Sequence, residues 1–128
     1  MKIKTFRDLI VWQRGHELVL LTYKITRSFP KEEQFSLMPQ MRRAAISVTA
    51  NIAEGFGRYQ HKDREHFYVM ASGSLVELEN HYQIAFDLKY LDKKLRMQTE
   101  DLINQTGKLL NALLKTHRSR LWTLNSEL

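Results

Sequence analysis

The chain of 128 residues is long enough for one domain with a buried core, and it contains no cysteine for disulfides or thiolate metal sites. No segment approaches the roughly 20 uncharged apolar residues of a membrane span. Residues 1–8 lack the apolar run of a signal peptide, so we expect a cytoplasmic protein. The formal net charge of +6 favours acidic partners such as nucleic acid, although many soluble proteins are basic without such a partner.

The first periodic segment predicts a helix over residues 6–28. Thr5 and Asp8 stand three apart, the spacing at which a hydroxyl and a carboxylate satisfy free amides at a helix start. Three- and four-residue steps predict its buried face, which consists of Leu9, Trp12, His16, Val19, Tyr23 and Thr26. Pro30 ends this helix, because a proline displaces the residue before it from helical geometry.

The second segment predicts a helix over residues 37–57, with Ser36 as its cap and Pro39 tolerated in its first turn. Its core stripe consists of Met41, Ala45, Val48, Ile52 and Phe56. A second stripe of small or apolar residues consists of Ile46, Ala50, Ala53 and Gly57. Polar residues occupy only about 80° of the circumference. We therefore expect this helix to be buried on more than one side, as a central helix or against another subunit.

Two further helices are predicted over residues 62–89 and 93–115, the second capped by Asp92. Their inward residues are Phe67, Ala71, Ser74, Leu78, Tyr82 and Ala85 in the third helix, and Leu95, Thr99, Leu102, Thr106, Leu109 and Leu113 in the fourth. The small residues 71–74 predict close approach of another helix, since a glycine in mid-helix costs about 1 kcal/mol relative to alanine. We expect residues 1–116 to form the domain and residues 117–128 a tail.

Four helices of roughly 20 residues joined by short loops predict an all-α fold, an antiparallel up-and-down four-helix bundle. Lys2, Lys4 and Arg7 form an amino-terminal basic cluster. We expect this cluster at the end of the bundle that holds the second joint, opposite the first joint and the carboxy terminus.

The polar stripe of the second helix has a structural and a functional interpretation. In the structural interpretation, a polar network consists of Arg43, Asn51, Glu54 and Glu77. Glu77 then pairs with Arg42 or Arg43, within or between subunits, because an unpaired buried charge costs several kcal/mol. In the functional interpretation, the arginines of this helix bind phosphate.

Basic residues near the helix ends predict a phosphate-binding surface. The predicted nucleic-acid-binding residues are Arg42, Arg43, Arg58, Lys93, Lys94 and Arg96. No base-reading motif accompanies them, so binding driven by shape and charge is expected. The alternative is a solvated surface without a ligand, since cations near the carboxyl ends of helices also interact favourably with the helix dipole.

Catalytic and metal-binding patterns are weak. A di-iron site in a bundle needs two Glu-x-x-His motifs, and residues 63–66 supply one loose approximation. His16 lies on the predicted apolar face, where a hydrogen-bonded core histidine is the commoner case. We therefore predict no catalytic residue, no metal site, no cofactor and no enzymatic activity.

Residues 40–58, QMRRAAISVTANIAEGFGR, carry a long and specific pattern. With residues 8–13 (DLIVWQ), 29–33 (FPKEE) and 71–78 (ASGSLVEL), this pattern resembles the bacterial four-helix-bundle proteins linked to intervening sequences of large-subunit ribosomal RNA genes. The resemblance covers residues 6–115. The sequence departs from the family pattern at two positions. Lys89 stands in place of a helix-ending glycine, and Gln60 stands in place of a capping hydroxyl.

The resemblance implies a homopentamer of four-helix protomers. It also implies kinship with the accessory protein of diversity-generating retroelements, a basic pentameric barrel that contacts nucleic acid and a reverse transcriptase. We therefore expect a non-enzymatic, basic homo-oligomeric scaffold that binds RNA, DNA or a nucleic-acid-handling protein and does not bind membranes. The alternative is a structural or protein-interaction module with no nucleic-acid role.

Overall fold

A computed structural model describes the backbone of residues 2–126 and the side chains of residues 2–118. The α-helices in this part of the chain are α1 (Ile10–Thr26), α2 (Leu37–Phe56), α3 (His61–Asp87) and α4 (Lys93–Ser126). Two short 3-10 turns, Phe6–Asp8 and Lys31–Glu33, precede α1 and α2. No strand occurs among residues 2–126, so the predicted all-α class is confirmed.

Neighbouring helices run antiparallel and pack in the order α1, α2, α3, α4, with α4 closing against α1. Gly15 near the start of α1 packs against Thr49 in the second half of α2. Gly55 at the end of α2 packs against Tyr68 in the second turn of α3. His61 at the start of α3 contacts the backbone of His117 in α4. The fold is therefore the predicted four-helix bundle.

The core contains a buried polar contact across the bundle diagonal. The hydroxyls of Thr22 in α1 and Tyr82 in α3 lie 2.7 Å apart, and both residues are fully buried. Because Thr22 donates its proton to the carbonyl of Leu18, the phenol of Tyr82 is the donor in this pair. Burial, which disfavours the ionised phenolate, raises the pKa of Tyr82 to about 12.

The buried face of α1 differs from the predicted one. Its buried residues are Val11, Gly15, Leu18, Leu21, Thr22, Ile25 and Thr26. Trp12 and Val19 are only partly buried. The prediction of a core histidine is wrong, because His16 is exposed and stacks on the indole of Trp12 with ring centroids 4.7 Å apart. Gly15 and Thr22 carry little hydrophobic signal, yet their small size lets α1 approach its neighbours closely.

The predicted helix starts are confirmed in part. Thr5 and Asp8 form the expected capping box, although it closes the 3-10 turn and α1 begins only after the extended residue Leu9. Amide hydrogen bonds from Thr5 and Lys4 lower the pKa of Asp8 below its usual value. Asp92 caps α4 by accepting the amide of Leu95 at 2.8 Å.

Ser36 does not cap α2 with its side chain. The amide of Leu37 instead donates to the carboxylate of Glu33 at 3.4 Å, because the 3-10 turn before α2 brings that carboxylate over the helix start. At the other end of the chain, α4 continues past the predicted end at residue 115 to Ser126. The side chains of residues 119–128 lie outside the described part, so the division at residue 116 stays a prediction.

Lys89, which stands where the family pattern has a helix-ending glycine, adopts a backbone conformation typical of glycine. Lys89 has a φ of 63°, the left-handed region that favours glycine. The amide of Tyr90 donates to the carbonyl of Ala85, and that of Lys89 to the carbonyl of Phe86, both at 3.0 Å. These two bonds are the Schellman pattern that ends a helix, here built on a lysine.

Candidate nucleic-acid interface

The antiparallel order gathers basic side chains at the two ends of the bundle. We call residues 2–8, 54–66 and 115–118 the near end, and residues 24–43 and 85–97 the far end. Ile3, Phe56, Arg64 and His117 line one shared cavity, so the amino-terminal segment and the turn of α4 that holds His117 both lie at the near end. The expectation that the carboxy terminus lies opposite the amino terminus is wrong, because an even number of antiparallel helices returns the chain to its starting end.

Charge is divided between the ends and the middle of the bundle. The near-end cations are Lys2, Lys4, Arg7, Arg58, Lys62, Arg64, Lys115 and Arg118, against Asp8, Glu54, Asp63 and Glu65. The far-end cations are Lys24, Arg27, Lys31, Arg42, Arg43, Lys89, Lys93, Lys94 and Arg96, against Glu32, Glu33, Asp87 and Asp92. Between the ends the described cations are Arg14 and Lys108, against Glu17, Glu77, Glu79, Glu100 and Asp101. Both ends are therefore net positive and the middle is net negative.

The predicted nucleic-acid-binding residues do not form one patch. Arg58 lies at the near end, whereas the far end holds Arg42, Arg43, Lys93, Lys94 and Arg96. The length of the helices separates the two groups, since each residue of an α-helix adds about 1.5 Å along its axis. A ligand contacting both groups on one protomer must span the bundle.

Arg42 is partly buried and helps to hold α1 against α2. Its Nε donates to the hydroxyl of Thr26 at 2.9 Å, and its guanidinium lies 4.5 Å from the ring centroid of Tyr23. A cation held this way over an aromatic ring contributes to packing as well as to the surface charge. Its neighbour Arg43 is exposed.

An open groove at the joint between α3 and α4 is lined by two more of the predicted residues, Lys93 and Arg96. Its lining consists of Phe86, Lys89, Leu91, Asp92, Lys93, Arg96, Met97 and Glu100. Arg96 lies over the ring of Phe86 at 4.6 Å and donates to Glu100 at 2.9 Å. Lys93 and Lys94 are exposed in the first turn of α4. The lining of the groove thus combines apolar side chains with three cations and two carboxylates.

The joint between α2 and α3 presents an aromatic residue that sequence reasoning missed. Tyr59 is 100% exposed and follows directly after Arg58. The guanidinium of Arg58 lies 4.7 Å from the ring centroid of Phe67 and 3.7 Å from the carboxylate of Glu54. An exposed aromatic beside an arginine in a short joint was the available sequence signal, but exposure depends on the tertiary structure.

The predicted polar network takes a different form. Asn51 donates to the carbonyl of Ser47 at 2.8 Å and to its hydroxyl at 3.1 Å, and the hydroxyls of Ser47 and Ser74 lie 2.8 Å apart. Glu77 contacts His81 at 3.3 Å, and no ion pair joins it to Arg42 or Arg43 within residues 2–118. The predicted pairing of Glu77 with Arg42 or Arg43 within one subunit is therefore wrong. Here α2 and α3 approach closely enough for the hydroxyls of Ser47 and Ser74 to meet, while Glu77 is exposed and pairs along α3 with His81.

A family model described as 23S rRNA-intervening sequence protein matches residues 7–112. The chain belongs to this family. The fold of the chain is similar to the crystal structure of a protein with unknown function from the S23 ribosomal protein family, from Bacteroides thetaiotaomicron. The TM-score is 0.76 at 19% identity, over 83% of this chain and 96% of that chain, so the likeness concerns the fold. No curated protein matches the chain significantly.

Two histidines of the chain make structural contacts between α3 and α4. His61 and His117 stack with ring centroids 3.6 Å apart. Each Nε2 lies 2.8–2.9 Å from the other residue's carbonyl, and because carbonyls only accept, both nitrogens are donors. No group of three or more candidate metal ligands occurs among the described residues. Likewise, no helix described in the structure is long and apolar enough for a membrane span.

Proposed function

We propose that this protein is a non-enzymatic, basic homo-oligomeric scaffold of the cytoplasm that binds RNA through the ends of its bundle. The observation that carries the proposal is the separation of charge, with cations in excess at both ends and carboxylates in excess between them. Phosphate-binding surfaces concentrate lysine and arginine in this way, because each contacted phosphate releases a bound counterion. The membership of the family adds a connection to ribosomal RNA.

The outer face of α3 supports self-association. Val69, Gly73, Val76 and Ile84 recur at helical spacing there, and Val76 is 64% exposed. A Cβ added at Gly73 would meet nothing within 4 Å, so no close helix approach within the chain offsets the cost of about 1 kcal/mol for a mid-helix glycine. A second copy packed against this face would provide that approach. A pentamer, which the sequence resemblance implies, would repeat the basic ends around its axis.

The alternative function is a protein-interaction module, with a nucleic-acid-handling protein among its candidate partners. It is favoured by apolar side chains exposed at the far end, where Phe35 is 90% exposed and Leu88 and Met97 are also exposed. Such side chains are more typical of protein interfaces than of phosphate contacts. The kinship with the accessory protein of diversity-generating retroelements stays a prediction of the resemblance.

The test is binding of the purified protein to a structured ribosomal RNA fragment and to duplex DNA across a salt series, with the mass in solution measured alongside. We expect log–log salt dependence for RNA binding, because phosphate contacts release counterions. The double variant Lys93→Ala/Lys94→Ala should weaken RNA binding and reduce the salt slope by about 1 for each of the two lysines that binds a phosphate.

Lys108→Ala is the matched control, since Lys108 is exposed but lies between the two basic ends. It should leave both the affinity and the salt slope close to those of the unmodified protein. Absence of RNA and DNA binding at low salt by an assembled oligomer would overturn the proposal. A partner whose binding is indifferent to salt would then favour the protein-interaction module.

A further inference from the structure

Tyr59 contributes nothing to the packing of the bundle. It lies in the joint between α2 and α3, and its side chain is 100% exposed. The other four tyrosines of the chain are buried or partly buried against the helices. A ring left wholly in water gains no burial energy from folding. A function for this side chain therefore has to come from a contact outside the protomer.

The joint that carries Tyr59 is held in a defined shape. The amide of Gly57 donates to the carbonyl of Ala53 and that of Arg58 to the carbonyl of Gly55, both at 3.2 Å. From the first turns of α3, the guanidinium of Arg64 donates back to the carbonyl of Arg58. A short joint tied at both sides leaves the backbone that carries Tyr59 little conformational freedom to lose on binding.

The surroundings of Tyr59 suit a polyanion with exposed rings. Arg58 precedes it, and Lys62 and Arg64 follow within the first turns of α3. Glu54 and Asp63 also line the shallow groove beside Tyr59, and Glu54 offsets part of the charge of Arg58 at 3.7 Å. The near end as a whole keeps an excess of cations. An exposed aromatic ring within a basic surface is the combination that binds single-stranded nucleic acid, by base stacking and phosphate contacts.

We propose that Tyr59 stacks on an unpaired base of single-stranded RNA while Arg58 and Lys62 contact the flanking phosphates. This inference rests on the proposed function. A duplex hides its base faces within its own stack, so only the phosphate contacts are open to it. The scaffold therefore binds single-stranded segments more tightly than duplex RNA of the same sequence, and stacking on Tyr59 accounts for the difference in affinity.

The experiment compares the full-length protein with Tyr59→Ala and Tyr59→Phe on a single-stranded RNA oligonucleotide and on its duplex. Stacking contributes about 1–3 kcal/mol per base, so Tyr59→Ala should weaken single-strand binding roughly 5- to 150-fold. Duplex binding and the salt slope should not change, because the substitution removes no charge. Tyr59→Phe keeps the ring and should bind as the unmodified protein does.

A second readout is the fluorescence of 2-aminopurine placed in the single strand, which should be quenched on binding to the unmodified protein and to Tyr59→Phe, and less so with Tyr59→Ala. Equal melting temperatures of the three proteins control for folding. If Tyr59→Ala binds the single strand unchanged, or loses single strand and duplex alike, stacking is overturned while RNA binding stands. If the unmodified protein binds neither RNA, both proposals fail.

Discussion

Gly55 and Gly73 both lie inside helices, but their surroundings are opposite. A Cβ at Gly55 would lie 2.7 Å from Cε1 and 2.9 Å from Cδ1 of Tyr68, and 3.1 Å from Cβ of Phe67. At Gly73 the same atom would meet nothing within 4 Å. Gly55 is thus explained by packing of α2 against α3 within the chain, whereas Gly73 is not.

We expect Gly55→Ala to lower the free energy of unfolding by about 1–3 kcal/mol, because the added methyl overpacks the contact with the ring of Tyr68. Urea denaturation measures the change. The control is Gly57→Ala, whose Cβ would lie 3.7 Å from its nearest neighbours and should change stability little. Equal effects of the two substitutions would show that close packing at Gly55 does not limit stability.

Tyr82 makes stability depend on pH at the alkaline end. Its pKa is raised from the ordinary value of 10 to about 12 in the folded protein. Below pH 10 the phenol is protonated in both states, and between pH 10 and 12 the unfolded state alone loses the proton. Stability contributed by this group is therefore present below pH 10 and lost as the pH rises towards 12.

Tyr82→Phe should cost about 1 kcal/mol at neutral pH through the lost hydrogen bond to Thr22. It should also make the decline of stability between pH 10 and 12 shallower than in the unmodified protein. Denaturant midpoints measured across this range test both parts, with the exposed-site variant Tyr59→Phe as the control. An unchanged alkaline slope would contradict the assignment of that decline to Tyr82.

The helices begin and end at hydrogen bonds that also involve residues outside the helix. Asp92 caps α4 as its sequence position predicts, whereas α2 is capped by Glu33 from the preceding turn and not by Ser36. The end of α3 has the hydrogen bonds expected of a glycine cap but carries Lys89 in the left-handed region. A side chain at that φ is strained relative to glycine.

Lys89→Gly should raise the free energy of unfolding by roughly 0.5–1 kcal/mol, since relief of left-handed strain outweighs the greater freedom of glycine in the unfolded chain. Thermal and urea unfolding both report the change. Lys89→Ala removes the same charge but keeps the Cβ, so it should give no such gain. A gain with alanine equal to that with glycine would assign the effect to charge.

The whole molecule concentrates cations at two ends and leaves an apolar face on α3 without a partner among the described residues. Both features are explained if several copies pack through their apolar α3 faces and present their basic ends to RNA, as proposed above. Electrostatic repulsion between basic ends would then be offset by apolar burial along the helices.

Gly73→Ala tests this arrangement at the level of assembly. In an isolated protomer the alanine should stabilise α3 by about 1 kcal/mol, because it meets nothing within 4 Å. In an oligomer that packs at this position, the added methyl should shift the mass in solution towards smaller species. Sedimentation velocity over a concentration series distinguishes the two effects. A larger or unchanged assembly would place the interface elsewhere.

The sequence by itself determined the number and order of the helices and the core stripe of α2, in which Met41, Ala45, Val48 and Ile52 are buried and Phe56 is partly buried. These are properties of single segments, where apolar spacing and capping residues act over a few turns. Only the tertiary structure decided the buried face of α1, the serine contact between α2 and α3, and the exposure of Tyr59. Each of these depends on how two helices are rotated and offset against one another, which the periodicity of either helix alone does not specify.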